Sequence, residues 1–162
     1  MKIFILKNTI PKYDALIISS YAIRYSQQQN YSLNITKLMK LLYFIQAKYL
    51  VEKNSKCFNE KILAWSFGPA IYEVFERYKL FMNLNPLIKE ADDYIDNRTK
   101  KLIEFIVEKY ADKGPIDLTI QTHSSGPWKD HWKEGSEYIW NEIPVEEIKE
   151  YYSSEIGRKE IS

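Results

Sequence analysis

Histidine and cysteine are the residue types most often used for catalysis or metal binding, and this sequence has two histidines, His123 and His131, and one cysteine, Cys57. A zinc site needs further ligands at spacings such as HExxH or CxxC, and the sequence contains neither pattern. A cysteine nucleophile needs a histidine or a positive group beside it, and both histidines lie far from Cys57 in the sequence. The sequence therefore predicts no metal ion, no cofactor and no cysteine-based catalysis.

His123 is the residue for which an acid–base role stays open. Thr122, Asp130 and the two serines that follow His123 are close to it in the sequence, and imidazole is the commonest general acid and base. The competing interpretation is structural, with the ring held by backbone carbonyls and packed against Trp128. We favour the structural role, which predicts that the protein is not an enzyme. A small hydrolase or transferase that uses His123 is the alternative.

A Gly-Pro pair, Gly68 and Pro69, is a second candidate for a ligand site. Phosphate-binding loops use several glycines, so that successive backbone N–H groups converge on the anion. This segment has one glycine, and proline has no N–H to donate, so phosphate binding is disfavoured. The pair predicts instead a tight turn, with Pro69 at the first position of a helix.

The elements that position these residues follow from hydrophobic spacing. The longest helical pattern, "NITKLMKLLYFIQAKYLVEKN", has an apolar stripe wide enough to predict a helix covered on more than one side. Its stripe consists of Leu38, Leu41, Leu42, Ile45 and Tyr49. Further helices are predicted over about 11–26, from Pro69 to the residues before "NLNP", over about 96–111, near Pro115 and after Pro144.

The segment "KCFNEKILAWSF" lacks helical spacing and predicts one or two short extended pieces before the Gly-Pro pair. The fold class that follows is all-α: a mainly helical single domain over 1–162, with about five to seven helices. One short β-hairpin before the Gly-Pro turn is compatible with it. No internal repeat, low-complexity segment or second domain is evident.

The charge balance argues against a general affinity for nucleic acid. Lys plus Arg number 23 against 22 Asp plus Glu, which gives a formal net charge of +1. The long helical segment combines lysines with aromatics, at Lys37, Lys40, Lys48, Tyr43 and Phe44. We interpret Lys37 and Lys40 as sharing a solvated face beside the apolar stripe. Nucleic acid is thus an unlikely partner, and a prophage-associated nucleic-acid-binding regulator is a second alternative.

The sequence also predicts where the protein acts. The apolar run in "MKIFILKNTIP" is too short for a secretory signal, and no stretch of apolar residues is long enough to span a membrane. The single cysteine cannot form an internal disulfide. We therefore expect a soluble, cytoplasmic protein with no membrane partner.

Three segments taken together resemble the Panacea antitoxin domain family, which includes SocA-like, phage-associated proteins. They are "ITKLMKLLYFIQAKYL", "AWSFGPAIYEVF" and "LTIQTHSSGPWKD". The residues that carry the resemblance are Lys37, Leu38, Lys40, Leu41, Leu42 and Tyr43 in the first segment, Ala64, Trp65, Gly68 and Pro69 in the second, and Leu118, Thr122, His123, Pro127 and Trp128 in the third. The resemblance spans about 12–152. It departs from the family pattern at Ala70, where valine is usual, and in the "SSG" between His123 and Pro127.

This resemblance implies an all-helical domain that binds and neutralises a protein toxin encoded beside it. Family members are paired with unrelated toxins, so the domain is implied to be a binder rather than an enzyme. Some members act as adaptors that deliver the toxin to a protease, so the resemblance also admits a Clp-type protease as a partner. The motif residues are implied to serve either the fold or partner binding.

Overall fold

Helices carry most of this fold, as the sequence predicts. The computed structural model describes residue 11, residues 13–124 and residues 126–162. The prediction that the N-terminal segment is not a secretory signal concerns residues 1–10, which lie outside the described residues. Nine α-helices and one hairpin occur within the described residues, in the order α1 (Ala15–Gln28), α2 (Ile35–Lys53), β1 (Leu63–Trp65), β2 (Gly68–Ala70), α3 (Tyr72–Tyr78), α4 (Ala91–Tyr94), α5 (Asn97–Lys109), α6 (Pro115–Ser124), α7 (Pro127–His131), α8 (Val145–Ser153) and α9 (Glu155–Ile161). None of these helices is long and apolar enough to cross a membrane.

The mainly helical class is confirmed, although the described residues form more helices than the predicted five to seven. The additional helices are short ones such as α4, α7 and α9, which contain too few residues to show an apolar period. The long α5 agrees with prediction. Its N-terminus is capped by Asp96, whose carboxylate accepts a hydrogen bond from the Thr99 backbone N–H at 2.8 Å.

Helix α2 is the centre of the fold. Every residue from Lys37 to Ala47 is buried, so this part of the helix is covered on all sides. Helices α1, α3, α5, α6, α8 and α9 and strand β2 all pack against it. Asn34 caps its start by accepting a hydrogen bond from the Lys37 backbone N–H at 2.9 Å. It ends at Asn54, which adopts a left-handed conformation.

One buried polar side chain of α2 fixes the loop that follows it. The Gln46 amide donates to the Phe58 carbonyl at 2.8 Å and accepts from the Cys57 backbone N–H at 2.7 Å. Both hydrogen bonds are buried, so they satisfy groups that water cannot reach. Cys57 is itself fully buried, and burial raises the pKa of its thiol, which is the opposite of an activated nucleophile.

The Gly-Pro pair does not begin a helix. Gly68 and Pro69 lie in β2, which pairs antiparallel with β1 and places Ala64 opposite Pro69. The chain reverses at residues 66–67, before the Gly-Pro pair, and α3 begins only at Tyr72. The prediction that Pro69 is the first residue of a helix is therefore wrong. The φ angle of proline suits an edge strand as well as a helix start, and pairing with β1 selects the strand.

The outer edge of β1 is covered by a distant part of the chain. The Ala64 backbone N–H donates to the Asn141 carbonyl, and the Ile143 N–H donates to the Ile62 carbonyl, each at 2.8 Å. These bonds hold the segment before α8 against the hairpin. The loop of residues 132–140 is consequently placed beside the hairpin, where it contributes to the candidate site.

Candidate functional site

Residues from all three motif segments meet at one place beside α2. We call Lys40, Gly68, Thr122, His123 and Trp128 the motif cluster; they come from α2, β2, α6 and α7. A Cβ atom added to Gly68 would lie 2.4 Å from the Lys40 Cε and 3.1 Å from the Thr122 Oγ1. The rings of His123 and Trp128 stack with centroids 3.7 Å apart and an interplanar angle of 6°. Segments far apart in sequence thus form one packed unit.

Lys40 is the most unusual member of the motif cluster because its side chain is fully buried. Its amine lies 3.5 Å from the Pro69 carbonyl oxygen and 4.8 Å from the centre of the Phe67 ring. No carboxylate of the described residues lies within ion-pair distance of it. Burial lowers the pKa of Lys40 to about 7, so a large part of the population is neutral at physiological pH.

The interpretation of Lys37 and Lys40 as a solvated face is wrong. Both side chains are buried, and the Lys37 amine donates to the Ala111 carbonyl at 3.2 Å. Burial lowers the pKa of Lys37 as well. Tyr43 and Phe44, the aromatics of the same segment, are buried in the core and offer no ring face to a nucleic-acid base. The hairpin and the loop after α5 cover this side of α2, and no local pattern reveals them.

His123 lies between the Trp128 ring and the charge of Lys40. Burial, and secondarily the Lys40 charge, lower the pKa of His123, which favours the neutral imidazole. Its Nε2 is buried and has no hydrogen-bond partner among the described residues. The Thr122 hydroxyl donates to the Thr119 carbonyl at 3.1 Å, within its own helix. The predicted packing of His123 against Trp128 is confirmed, whereas no backbone carbonyl of the described residues holds the ring at Nε2.

The other residues near His123 add little to a catalytic interpretation. Asp130 is exposed on α7, and the side chain of Ser124 and all of Ser125 lie outside the described residues. His131 pairs through its Nε2 with the Glu147 carboxylate on α8. Among the described residues, no group of three or more His, Cys, Asp and Glu side chains is placed to hold a metal ion.

The remaining motif residues belong to the core rather than to the surface. The side chains of β1, β2, α2, α6 and α7 that carry the resemblance fill the space between these elements. They are Leu38, Leu41, Leu42, Tyr43, Ala64, Leu118, Pro69 and Pro127, all buried, and Trp65, which is half-buried.

Next to the motif cluster lies an open cavity with aromatic walls. We call it the aromatic groove; it has a volume of about 550 Å³. Its main lining residues are Trp65, Phe67, Tyr72, Trp132, Tyr138 and Ile139. Trp140 lies beside it, with its ring centroid 4.8 Å from that of Tyr72, and is 58% exposed. All four tryptophans of the chain are thus in or against this groove.

The motif cluster holds the walls of the aromatic groove in place. The Trp128 indole N–H donates to the Trp65 carbonyl at 2.7 Å, and the Trp65 indole N–H donates to the Ile139 carbonyl at 2.7 Å. Trp128 also stacks on Trp132, with centroids 5.4 Å apart. The Thr119 hydroxyl lies 3.2 Å from the Phe67 carbonyl oxygen and 2.9 Å from the Pro115 carbonyl oxygen and can donate to either, which brings α6 into contact with the turn of the hairpin. Buried motif residues therefore position exposed aromatic ones.

Sequence reasoning missed most of the aromatic groove. Phe67, Tyr72, Trp132 and Trp140 were not predicted as site residues because they follow no common period. One available signal is the spacing of Trp128 and Trp132, since residues four apart lie on the same face of a helix. The aromatic content of 15% is compatible with an aromatic surface, but composition does not show where on the protein that surface lies.

Comparison with known protein families places most of the motif residues within a family model. The family model described as "Antitoxin SocA-like, Panacea domain" matches residues 38–129. The matched part is more than half of the chain and contains the whole motif cluster, together with both strands of the hairpin. No curated protein and no solved structure matches the chain.

Proposed function

Because this chain belongs to the antitoxin SocA-like, Panacea domain family, we propose that it is the antitoxin of a toxin–antitoxin pair. It neutralises a protein toxin encoded by a neighbouring gene, by binding that toxin directly. The pair meets in the cytoplasm, as the sequence composition predicts. The observation that supports a binding role best is the aromatic groove.

The aromatic groove has the composition of a protein interface. Tryptophan and tyrosine are the residues that most often contribute binding energy at such interfaces, because they combine a large apolar area with a polar group. Trp132 and Ile139 are 36% and 45% exposed and so are available for contact. Lys133, Glu134 and Ser136 also line the groove and add polar groups to its apolar surface.

The motif cluster supports this interface without contacting the partner. Lys40, Gly68 and Thr122 are buried, and His123 and Trp128 stack beneath the groove, so their expected role is to fix the positions of Trp65 and Trp132. A preformed groove binds more tightly than a flexible one, because less conformational entropy is lost on association. The toxin accordingly contacts the tryptophans rather than the buried lysine or the histidine.

We expect the double variant Trp132→Ala/Tyr138→Ala to lose toxin binding. Truncation of aromatic residues at the centre of an interface commonly costs 2 kcal/mol or more, which corresponds to about 30-fold or greater weakening. The measurements are the dissociation constant of the purified pair and the relief of growth arrest when the chain is co-expressed with the product of the neighbouring gene. Circular dichroism and thermal unfolding show whether the variant keeps its fold.

Leu80→Ala/Met82→Ala is the matched control, since both side chains are apolar and strongly exposed on the loop after α3. It is expected to bind and neutralise like the natural chain. Wild-type binding by the Trp132→Ala/Tyr138→Ala variant would exclude the groove as the interface. If co-expression with the neighbouring gene products gives neither rescue nor a co-purifying complex, the antitoxin proposal itself is wrong.

The same co-expression distinguishes sequestration from delivery to a protease. Sequestration predicts that the toxin accumulates in a stable complex, whereas an adaptor predicts a shorter toxin half-life that depends on a Clp-type protease. We propose sequestration as the primary action, because the groove supplies an interface. A toxin half-life that falls on co-expression and recovers in a protease-deficient strain would establish the adaptor role instead.

Substitution of His123 tests the enzymatic alternative. His123→Ala removes the ring stacked on Trp128 and is expected to lower the free energy of unfolding by about 1–3 kcal/mol, with a matching loss of neutralisation. His123→Phe keeps a ring in the stack and removes the titratable nitrogens, so we expect it to neutralise the toxin normally. A His123→Phe protein with wild-type stability and no activity would support catalysis by His123.

A further inference from the structure

A second groove, on α2 and α5, is lined by cations. It has a volume of about 400 Å³ and shares no lining residue with the aromatic groove. We call it the basic groove. The residues that define it are Lys48, Lys53, Arg98, Lys101 and Phe105. Glu52 and Leu102 complete the lining, so four cations face one carboxylate.

The single carboxylate of the basic groove is already paired. The Lys48 amine lies 3.0 Å from the Glu52 carboxylate and also donates to the Ile161 carbonyl at 2.8 Å. Lys53, Arg98 and Lys101 have no carboxylate within ion-pair distance among the described residues. The formal net charge of the chain is only +1, so this excess of positive charge is local.

The start of α5 lies next to the basic groove and carries a carboxylate. A neighbouring cavity of about 390 Å³ is also lined by Lys53 and Arg98, together with the first residues of α5. The Asp96 carboxylate there accepts hydrogen bonds from the Thr99 backbone N–H at 2.8 Å and from the Tyr13 hydroxyl at 2.7 Å. Asp96 thus caps α5 and its negative charge offsets the positive end of the helix dipole, so the local excess of positive charge comes from Lys53, Arg98 and Lys101 alone.

We propose that the basic groove binds an acidic segment of a protein partner, in which several carboxylates flank an apolar side chain. The carboxylates pair with Lys53, Arg98 and Lys101, and the apolar side chain packs on the exposed edge of Phe105. Arginine suits this role because its guanidinium can hold a carboxylate through two hydrogen bonds. The site is separate from the toxin interface of the proposed function and does not depend on it.

The geometry favours a polypeptide over a nucleic acid. Single-stranded nucleic acids are held by bases stacked on open aromatic faces along a cationic track. Phe105 is 41% exposed, but the Lys48 amine lies 4.3 Å from its ring centre and covers one face. Glu52, beside that amine, would face a phosphate chain with a like charge. A flexible peptide can place its carboxylates away from Glu52, because they are not spaced as regularly as the phosphates of a nucleic acid.

The test uses the full chain and three fluorescein-labelled probes: a peptide of glutamates with interspersed leucines, its lysine counterpart, and an oligothymidylate of equal charge. Fluorescence anisotropy is expected to show saturable binding of the acidic peptide, weakening as salt is added, and weaker binding of the other two. We expect Arg98→Glu/Lys101→Glu to weaken binding of the acidic peptide about tenfold or more.

Arg77→Glu/Lys89→Glu is the matched control, because it makes the same change in net charge at exposed residues of α3 and the following loop. It is expected to bind the acidic peptide within about twofold of the natural chain. Arg98→Gln/Lys101→Gln, which removes charge without reversing it, should show an intermediate loss. Equal losses in the two charge-reversed variants, absence of peptide binding, or tighter groove-dependent binding of the oligothymidylate would each overturn the proposal.

Discussion

Replacing Lys40 with methionine is expected to stabilise the protein at pH 7, on the order of 2–4 kcal/mol. Burial lowers the pKa of Lys40 from 10.5 to about 7, and each unit of such a shift corresponds to about 1.4 kcal/mol of folding free energy. The natural chain must therefore lose a proton, or bury a charge, in order to fold. Methionine fills a similar volume and carries no charge, so this cost disappears.

The pH dependence identifies the cause of this stabilisation. The unfolded chain keeps the Lys40 proton up to about pH 10.5, whereas the folded chain loses it near pH 7, so the unfolded state binds more protons between these values. Stability of the natural chain consequently rises with pH in that window. The advantage of Lys40→Met should shrink as pH rises, by about 1 kcal/mol per pH unit between about pH 7 and about pH 8.5.

Urea unfolding at a series of pH values measures this difference. Comparing the two proteins at each pH cancels the contributions of titrating groups that Lys40 does not influence, such as the buried tyrosines. His123 is an exception, because the Lys40 charge lowers its pKa, but that pKa lies below 6.5 and so below the window of the comparison. Lys113→Met, at an exposed lysine, is the control and should differ from the natural chain by a constant small amount. A stability difference for Lys40→Met that does not change with pH would show that Lys40 folds with an ordinary pKa.

Gly68→Ala is expected to destabilise the protein by about 2–4 kcal/mol. The φ angle of Gly68 is +116°, a conformation that residues with a side chain rarely adopt. The added methyl group would also lie 2.4 Å from the Lys40 Cε and 2.8 Å from its amine, inside van der Waals contact. Because Lys40 is enclosed, its side chain has little room to move away.

Chemical denaturation of Gly68→Ala and Gly114→Ala provides the comparison. A Cβ on Gly114 would meet only the Asp117 carboxylate, at 3.7 Å, so that variant should change stability by less than about 0.5 kcal/mol. The double variant Lys40→Ala/Gly68→Ala removes the overlap and leaves the backbone strain. A coupling energy of about 1 kcal/mol or more is expected, and strictly additive effects would show that the overlap costs nothing.

Helices with long apolar stripes could be predicted from the sequence, and elements defined by distant contacts could not. The stripe through Leu38 and Ile45 located α2, and Asp96 marked the start of α5. The role of Pro69 depends on pairing with Ala64, and its local preferences fit both a helix start and an edge strand. A local pattern can therefore identify that an element begins nearby without deciding its type.

In the candidate site, too, contacts within one short segment could be predicted from the sequence, and contacts between distant segments could not. His123 was predicted to pack on Trp128 because the two lie within one short segment. Two lysines three residues apart resemble a solvated face, and the burial of Lys40 results from a hairpin that approaches from elsewhere. The aromatic groove joins Trp65 to Ile139, and no periodicity relates residues so far apart in the sequence.

One wall of the aromatic groove lies within the residues that match the family, and the other wall lies outside them. Trp65, Phe67 and Tyr72 lie within the matched residues 38–129, whereas the opposite wall, from Trp132 to Ile139, follows the match. Under the proposed function, recognition and folding are thus separated along the chain. The loop at 132–140 can exchange side chains, and with them the partner, while the buried lysine, the glycine and the stacked histidine continue to specify the same fold. A domain arranged in this way can acquire a new toxin without being refolded.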